Sequence, residues 1–550
     1  MQNNVLLFLL FFSSLLGARS LPELMPSKSQ STPPKTVYIK GITVYGKKGI
    51  LDITKTGVHL YDLNITPREA RHLKYILQKR YLDKELKIAT IENIKHSISS
   101  YYQIIRRPFI VISIPDQDIT DDKLKLYVEE TRVGNIQIKG LESKSKDYCE
   151  KCIRLNTEDM LSTDILGADV AWINRNPFRY AQAVCKAGEK NLTTDVDIIV
   201  SEKFPARAFV GTDNTGFKQT GYQRFFAGAY LGNFLGLNQL LTYQYTADYH
   251  FKRYQSHILS YEIPIQPWRQ VIMFFGGLGY TKAPVDDNQA FNTHGKSKQL
   301  SGRYIIPFNQ GGLCPQEFKA GVDFKRTNNN LVFGGVTVSQ TKVNIFQFIL
   351  QYLATRNYPI VKNEFALDVV ISPGQLLPDM SRGKFNALRP GARATYFYIR
   401  SGLKQLYNLP KACTLAIEGA MQLTTTKLLA SEQFALGGYQ TVRGYQERAV
   451  NADNGLLLRF EPRFPPITLI PRKENSLTFF AFADIGYGVD QLKLAADFRR
   501  NQALVGVGPG FRYQYASNIS LRFDWGYQLI KIQNNPGGHN RINFGAMLSF

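Results

Sequence analysis

Between Leu241 and Phe251 the residues alternate without a break. Leu241, Tyr243, Tyr245, Ala247, Tyr249 and Phe251 fall on one face of an extended chain, and Thr242, Gln244, Thr246, Asp248 and His250 fall on the other. A period of two is the signature of a strand with two different environments. The pattern returns in Cys413, Leu415, Ile417 and Met421 against Thr414, Glu418 and Gln422. It returns again in Ile519, Leu521, Phe523, Trp525 and Tyr527 against Ser520, Arg522, Asp524 and Gln528. About sixteen such segments fit between Ala208 and Phe550, an even number that allows a closed antiparallel barrel, apolar outside and polar within. No run of ~18 apolar residues follows the N-terminus, so strands are the means of crossing a membrane. The 30 Tyr and 35 Phe suit interfacial girdles around such a barrel. The expected fold is mainly β: a transmembrane antiparallel β-barrel over residues 204–550, preceded by smaller modules.

The net charge of +23 is spread along the chain with no nucleic-acid-binding motif, which directs it toward an anionic lipid leaflet or an acidic passenger and away from nucleic acid. The seven histidines are far apart and none sits in a triad or metal-ligand motif. Gly506-Val-Gly-Pro-Gly510 lies in a strand pattern with no following helix, so it reads as a place where a strand kinks and not as a phosphate loop. Cys149 and Cys152 have the C-x-x-C spacing but no second ligand pair. A local disulfide, or one to Cys185, is the preferred reading over a metal site. These features describe a chain without enzyme activity, metal or cofactor.

At the N-terminus, Val5 to Leu16 is apolar and Ala18-Arg19-Ser20 offers small residues for cleavage before Leu21, giving a signal peptide over residues 1–20. The first four residues carry no Lys or Arg, so a noncleaved anchor is the alternative. Residues 21–36 hold four prolines and read as an extended tether. A first α+β module over residues 37–130 follows: a strand through Ile42-Thr-Val-Tyr-Gly46, helices over 67–80 and 89–102, and strands over 109–115 and 123–128. Ile136-Gln-Ile-Lys-Gly140 repeats the opening strand and starts a second module over residues 131–203, with a helix over 163–175.

One loop stands apart from every helix pattern. Phe434 to Tyr445 contains Gly437, Gly438 and Gly444, which let a loop double back, and Val442-Arg443-Gly444-Tyr445 puts one guanidinium at its tip. Asp484, in Phe482-Ala-Asp-Ile-Gly486, is the candidate acceptor. Strand parity places it on the polar face with Thr478, Phe480, Phe482 and Gly486, where a watery lumen would weaken the pair. On spacing alone, ordinary turns and a solvated arginine read equally well.

This loop and the later Phe-x-Asp-x-Gly strand resemble the two signature motifs of the two-partner secretion transporters, the haemolysin-activator and filamentous-haemagglutinin export family. Ile114 to Val128 resembles the end of that family's first POTRA domain, with Asp122 where a glycine is usual. Asn174-Arg-Asn-Pro-Phe178 and Thr194 to Val200 resemble the second, and Val210 to Gly216 with Thr220-Gly221 resembles the barrel start. On the count of alternating segments the arginine loop follows the eleventh strand, and the resemblance implies the same place for it and that it folds into the lumen. It also implies that Phe544, Leu548 and Phe550 signal insertion to the barrel assembly machinery. The implied function is an outer-membrane pore that secretes a large unfolded partner captured by periplasmic POTRA domains, among outer-membrane lipids and without nucleotide hydrolysis. The proline-rich tether leaves no room for the plug helix of the best-known members. A barrel assembly factor and a passive porin are the competing readings: the first usually carries more POTRA copies, and the second needs none.

Overall fold

A computed structural model describes residues 37–46, 56–118, 122–141, 143–266, 268–284, 291–333, 336–491, 501–532 and 539–550. The expected signal peptide and tether lie outside the described residues. The chain divides into two compact units: residues up to Asn174 with Arg179–Ser201, and Arg175–Phe178 with Glu202–Phe550.

In the first unit a four-stranded sheet is built around Gly41–Tyr45, which pairs in parallel with Gly57–Tyr61 on one side and Lys123–Glu130 on the other; Ile110–Ser113 completes it. The strand Gly57–Tyr61 was not expected from the sequence. It has only five residues and sits between glycine and a left-handed Asp62, so its period is too short to read. The helices Pro67–Tyr81 and Ile88–Ile104 cover this sheet, burying Leu73, Leu77, Ile94 and Ile98 against Ile42, Val44, Leu124 and Leu126. The first helix starts where its sequence demands. Thr66 Oγ1 accepts from Glu69 N at 3.3 Å, Glu69 Oε2 accepts from Thr66 N at 2.7 Å, and Pro67 fills the first helical position. Asp122 has φ 58°, so the left-handed turn that favours glycine is present here with an aspartate in it.

A three-stranded sheet follows, in the order Arg132–Lys139, Thr193–Glu202, Arg179–Ala187. The helix Thr163–Ile173 is capped by Ser162, and an unforeseen short helix, Ser143–Glu150, precedes it. The cysteine reading is corrected here. Cys149 and Cys152 are buried at the end of that short helix and form no disulfide, either with each other or with Cys185. Cys152 Sγ donates to the Tyr148 carbonyl at 3.2 Å, so these residues serve as small apolar groups within the module. Burial pushes the Cys185 thiol up to about 11.

The second unit is a closed barrel of sixteen antiparallel strands. It begins with Ala206–Asp213 and ends with Asn540–Ser549, and pairing of Phe209 to Asp213 with Gly545 to Ser549 closes the ring. Odd-numbered strands run away from the end where the chain enters at Ala206. Most turns at that end are short. At the far end, long connections follow the ninth strand, Val361–Pro373, and the eleventh, Thr414–Thr424. The first of these carries the helix Arg382–Leu388. It buries Met380 and Phe385 against lumen-facing Val343, Ile345 and Tyr396, and against Leu428 and Leu429 of the second connection.

The alternation holds along the wall. Phe479, Ile485 and Tyr487 are exposed on the outside of the thirteenth strand, Asn475–Val489, while Phe480, Phe482 and Asp484 are buried inside. Tyr249 and Phe251, read as strand residues, lie beyond the third strand, Leu240–Asp248, in its hairpin turn.

Candidate functional site

The connection between the eleventh strand and the twelfth, Asn454–Arg463, carries a two-stranded hairpin in which Leu436 pairs with Val450. Its tip is turned by Gly437, Gly438 and Gly444, all at positive φ near 100°. Gly438 N donates to the Val442 carbonyl at 3.1 Å, closing a loop that Leu436, Val442, Tyr445 and Val450 pack against Leu457 and Leu504 of the wall.

Arg443 is fully buried at this tip. Its Nε donates to Asp484 Oδ2 at 2.7 Å and its Nη2 to Asp484 Oδ1 at 2.8 Å. Its backbone N also donates to Asp484 Oδ2, at 3.0 Å. The remaining terminal nitrogen, Nη1, donates to Glu461 Oε2 at 2.7 Å and to Asp524 Oδ1 at 3.0 Å. The Phe482 ring centroid lies 3.7 Å from the guanidinium carbon. Three further cations share the acceptors: Arg459 reaches Asp484 at 3.4 Å, Arg512 reaches Asp524 at 2.8 Å, and Arg463 reaches Glu461 at 2.9 Å. With Glu418, which accepts from Arg459 at 3.1 Å, four arginines face four carboxylates, the condition under which buried charge is tolerated. The watery surroundings expected for this pair are absent, because the loop and the Phe480 and Phe482 rings cover it.

The floor beneath the tip is made of glycine. A Cβ on Gly506 would stand 1.9 Å from the Arg443 carbonyl oxygen, and one on Gly526 would stand 2.3 Å from Gly444 N. This adds a second role to the reading of Gly506-Val-Gly-Pro-Gly510, whose pairing with the next strand is interrupted at Gly508 and Pro509. Its first glycine gives room for the loop backbone, and Gly510 gives room for the Phe480 ring. Gly486 likewise lies under Val442. Tyr445 OH donates to the Ile530 carbonyl at 2.5 Å, and Gln528 Nε2 donates to the Gly444 carbonyl at 2.6 Å.

Two more anchors hold the same connection. Glu432 is buried and accepts from Lys325 Nζ and from Tyr398 OH, both at 2.9 Å. Arg389, from the helix-bearing connection, donates to the Leu428 carbonyl, to Asp453 and, at 2.8 Å, to Asp490. Glu461, Glu432, Arg389 and Asp453 carried no signal in the sequence. Asp524 had been placed on a polar strand face, but only barrel closure carries it to Arg443, 81 residues away in sequence. Phe544, Leu548 and Phe550 are exposed on the outer surface at the last strand, and Phe550 exchanges backbone hydrogen bonds with Ala208.

Residues 193–513 match the family described as haemolysin secretion/activation protein ShlB/FhaC/HecB, which is more than half of the chain. The heme/hemopexin transporter protein HuxB of Haemophilus influenzae (strain 86-028NP) is 23% identical over 494 residues, covering 85% of this chain and 82% of its own. The outer membrane transporter CdiB of Dickeya dadantii is 22% identical, covering 74% and 72%. Among solved structures, CdiB from Escherichia coli superposes with a TM-score of 0.72 over 96% of this chain and 93% of its own. At 17% identity that likeness speaks for the fold. The chain belongs to the haemolysin secretion/activation protein family ShlB/FhaC/HecB, the two-partner secretion transporters of the outer membrane.

Proposed function

We propose that this transporter captures an unfolded partner with its POTRA modules, at residues 37–130 and 131–203, and passes it through the sixteen-strand pore. Folding of the partner outside drives the process, without nucleotide hydrolysis. The observation that carries the reading is the Arg443 loop. A closed barrel has been given a lumen-filling hairpin anchored by one bidentate arginine, a device that a wall needs only if the lumen is a regulated passage.

The edges of the two N-terminal sheets support the capture step. Gly57–Tyr61 and Ile110–Ser113 edge the first, and Arg132–Lys139 and Arg179–Ala187 edge the second. An open edge pairs with backbone and asks little of sequence, which suits an unfolded passenger. Arg179–Ala187 supports this role best, since its nine residues expose Tyr180 and Val184. The last strand, with Phe544, Leu548 and Phe550 facing outward, is the part we assign to recognition by the barrel assembly machinery and to contact with membrane lipid.

Site-specific photocrosslinking from positions 180 and 184 during secretion of the cognate partner tests the capture step. Crosslinks to the partner in transit are expected. Secretion at full rate with no crosslink from either position would contradict it.

A further inference from the structure

The outer surface of barrel strands four to eight changes character within a single step of register. These strands are Tyr254–Ile265, Gln270–Pro284, Phe291–Phe308, Gln316–Phe333 and Val336–Asn357. One row of directly paired residues runs Leu259, Gly276, Leu300, Phe324, Phe346, and Leu259 and Leu300 are exposed on the lipid-facing side. Two residues farther from the N-terminal end of the barrel, the row becomes His257, Leu278, Lys298, Arg326, Asn344. The next is Gln255, Tyr280, Lys296, Asn328, Lys342, and Lys282 follows opposite His294. The apolar row is thus succeeded by five cations without a carboxylate in the same rows.

Lys282, Lys296 and Lys298 are exposed. Arg326 Nε donates to Asn344 Oδ1 at 2.8 Å, which fixes the plane of its guanidinium. Lys342 Nζ lies 3.9 Å from Asp379, whereas Lys296, Lys298 and Arg326 have no ion-pair partner among the described residues. From Phe308 at the periplasmic end to Lys298 is about 33 Å of strand, or about 25 Å across the membrane at a tilt of ~40°, which is the height of a barrel's apolar band. The basic rows therefore begin where the outer leaflet's hydrocarbon stops. A lysine facing hydrocarbon is costly, but one facing phosphate is attracted to it.

We propose that this face is a binding site for a phosphorylated glycolipid of the outer leaflet. Its phosphates sit on Lys296, Lys298 and Arg326, and its acyl chains lie on Leu278, Leu300 and Phe324. Continuity between the apolar rows and the basic rows favours a lipid over a free anion, since both parts of one molecule are served by one surface. The neutral side chains between the cations, Tyr280 and Asn328, suit an interfacial sugar.

The test uses the full-length transporter in nanodiscs, titrated by native mass spectrometry with bisphosphorylated lipid A, with the same glycolipid stripped of phosphate, and with phosphatidylglycerol. Wild type is expected to prefer bisphosphorylated lipid A over both. The triple variant Lys296→Ala, Lys298→Ala, Arg326→Ala should lose that binding by on the order of a hundredfold, from three basic residues of about fivefold each. The variant Lys296→Arg, Lys298→Arg should keep it. Assembly of each barrel is read from heat-modifiable migration, and the wild-type preference for phosphate stands as a test even if the triple variant does not assemble. Equal binding of the stripped glycolipid, or phosphatidylglycerol held as tightly as lipid A, would overturn the proposal.

Discussion

Arg443 grips Asp484 three times, through Nε, Nη2 and its own backbone N–H, so one carboxylate fixes both the side chain and the main chain of the loop tip. Both residues are fully buried, which removes the discount that solvent would otherwise impose on the pair. The fork geometry matters as much as the charge, because an ammonium cannot make two parallel bonds. The exchange Arg443→Asp with Asp484→Arg is accordingly expected to restore only part of any export lost in either single variant. In membranes, a short bifunctional thiol reagent should crosslink Arg443→Cys to Asp484→Cys. Absence of that crosslink would place the loop elsewhere.

Gly506 is the position at which the wall yields to the loop. Gly506→Ala puts a methyl 1.9 Å from the Arg443 carbonyl oxygen, and either strand or loop must move at a cost of ~1–3 kcal/mol. We expect an assembled barrel with a displaced loop and a higher single-channel conductance in planar bilayers. Gly276→Ala, whose new methyl would meet nothing within 4 Å, is the matched control and should conduct like wild type. Equal conductance of the two variants would show that the glycine floor does not position the loop.

Removing residues 37–203 should separate passage from capture. The truncated barrel keeps every contact of Arg443, Glu432 and Arg389 described above, so it should assemble and conduct ions while exporting nothing. Bilayer conductance and a secretion assay on the same preparation check this. Export by the truncated form would refute a capture role.

Asp197 gives the N-terminal unit an acid-sensitive point. Hydrogen bonds from Lys139 at 2.7 Å and from Lys186 at 3.1 Å hold its carboxyl below the usual carboxylate range. A carboxylate with a depressed folded pKa contributes stability above its unfolded value of ~3.9 and loses it as pH falls through the folded value. Urea unfolding followed by the fluorescence of Trp172, the tryptophan buried in that unit, should show wild type losing more stability between pH 7 and pH 3 than Asp197→Asn. Identical losses would mean that the two lysines do not stabilise the carboxylate.

What was legible in the chain was whatever repeats at short range. Alternation in Leu241 to Ala247 and in Leu477 to Gly486 predicts strand and facing, and counting such segments places the arginine loop after the eleventh strand, where it lies. Thr66-Pro67 with Glu69 marks a helix start, because capping is a four-residue event. Convergence at long range was not legible. Asp484 could be named from strand parity, but Glu461 and Asp524 join it at one guanidinium only after the sheet has closed, and no spacing along the chain encodes that. The second role of Gly506 was hidden for the same reason: a glycine that makes room for a distant backbone looks, in sequence, like a glycine that bends its own strand. Gly57–Tyr61 escaped because five residues with glycine at the head do not establish a period.

Secretion by Arg443→Ala bears on the account most directly. Removing the guanidinium leaves Asp484, Asp524 and Glu461 facing one another, each with one ion-pair partner remaining among the described residues: Arg459, Arg512 and Arg463 respectively. Loss of one partner from a buried pair costs ~3–5 kcal/mol locally. The barrel wall pairs through its backbone and should assemble at the wild-type level, while export of the partner protein falls to background. Wild-type export by an assembled Arg443→Ala barrel would contradict the claim that this clamp serves translocation.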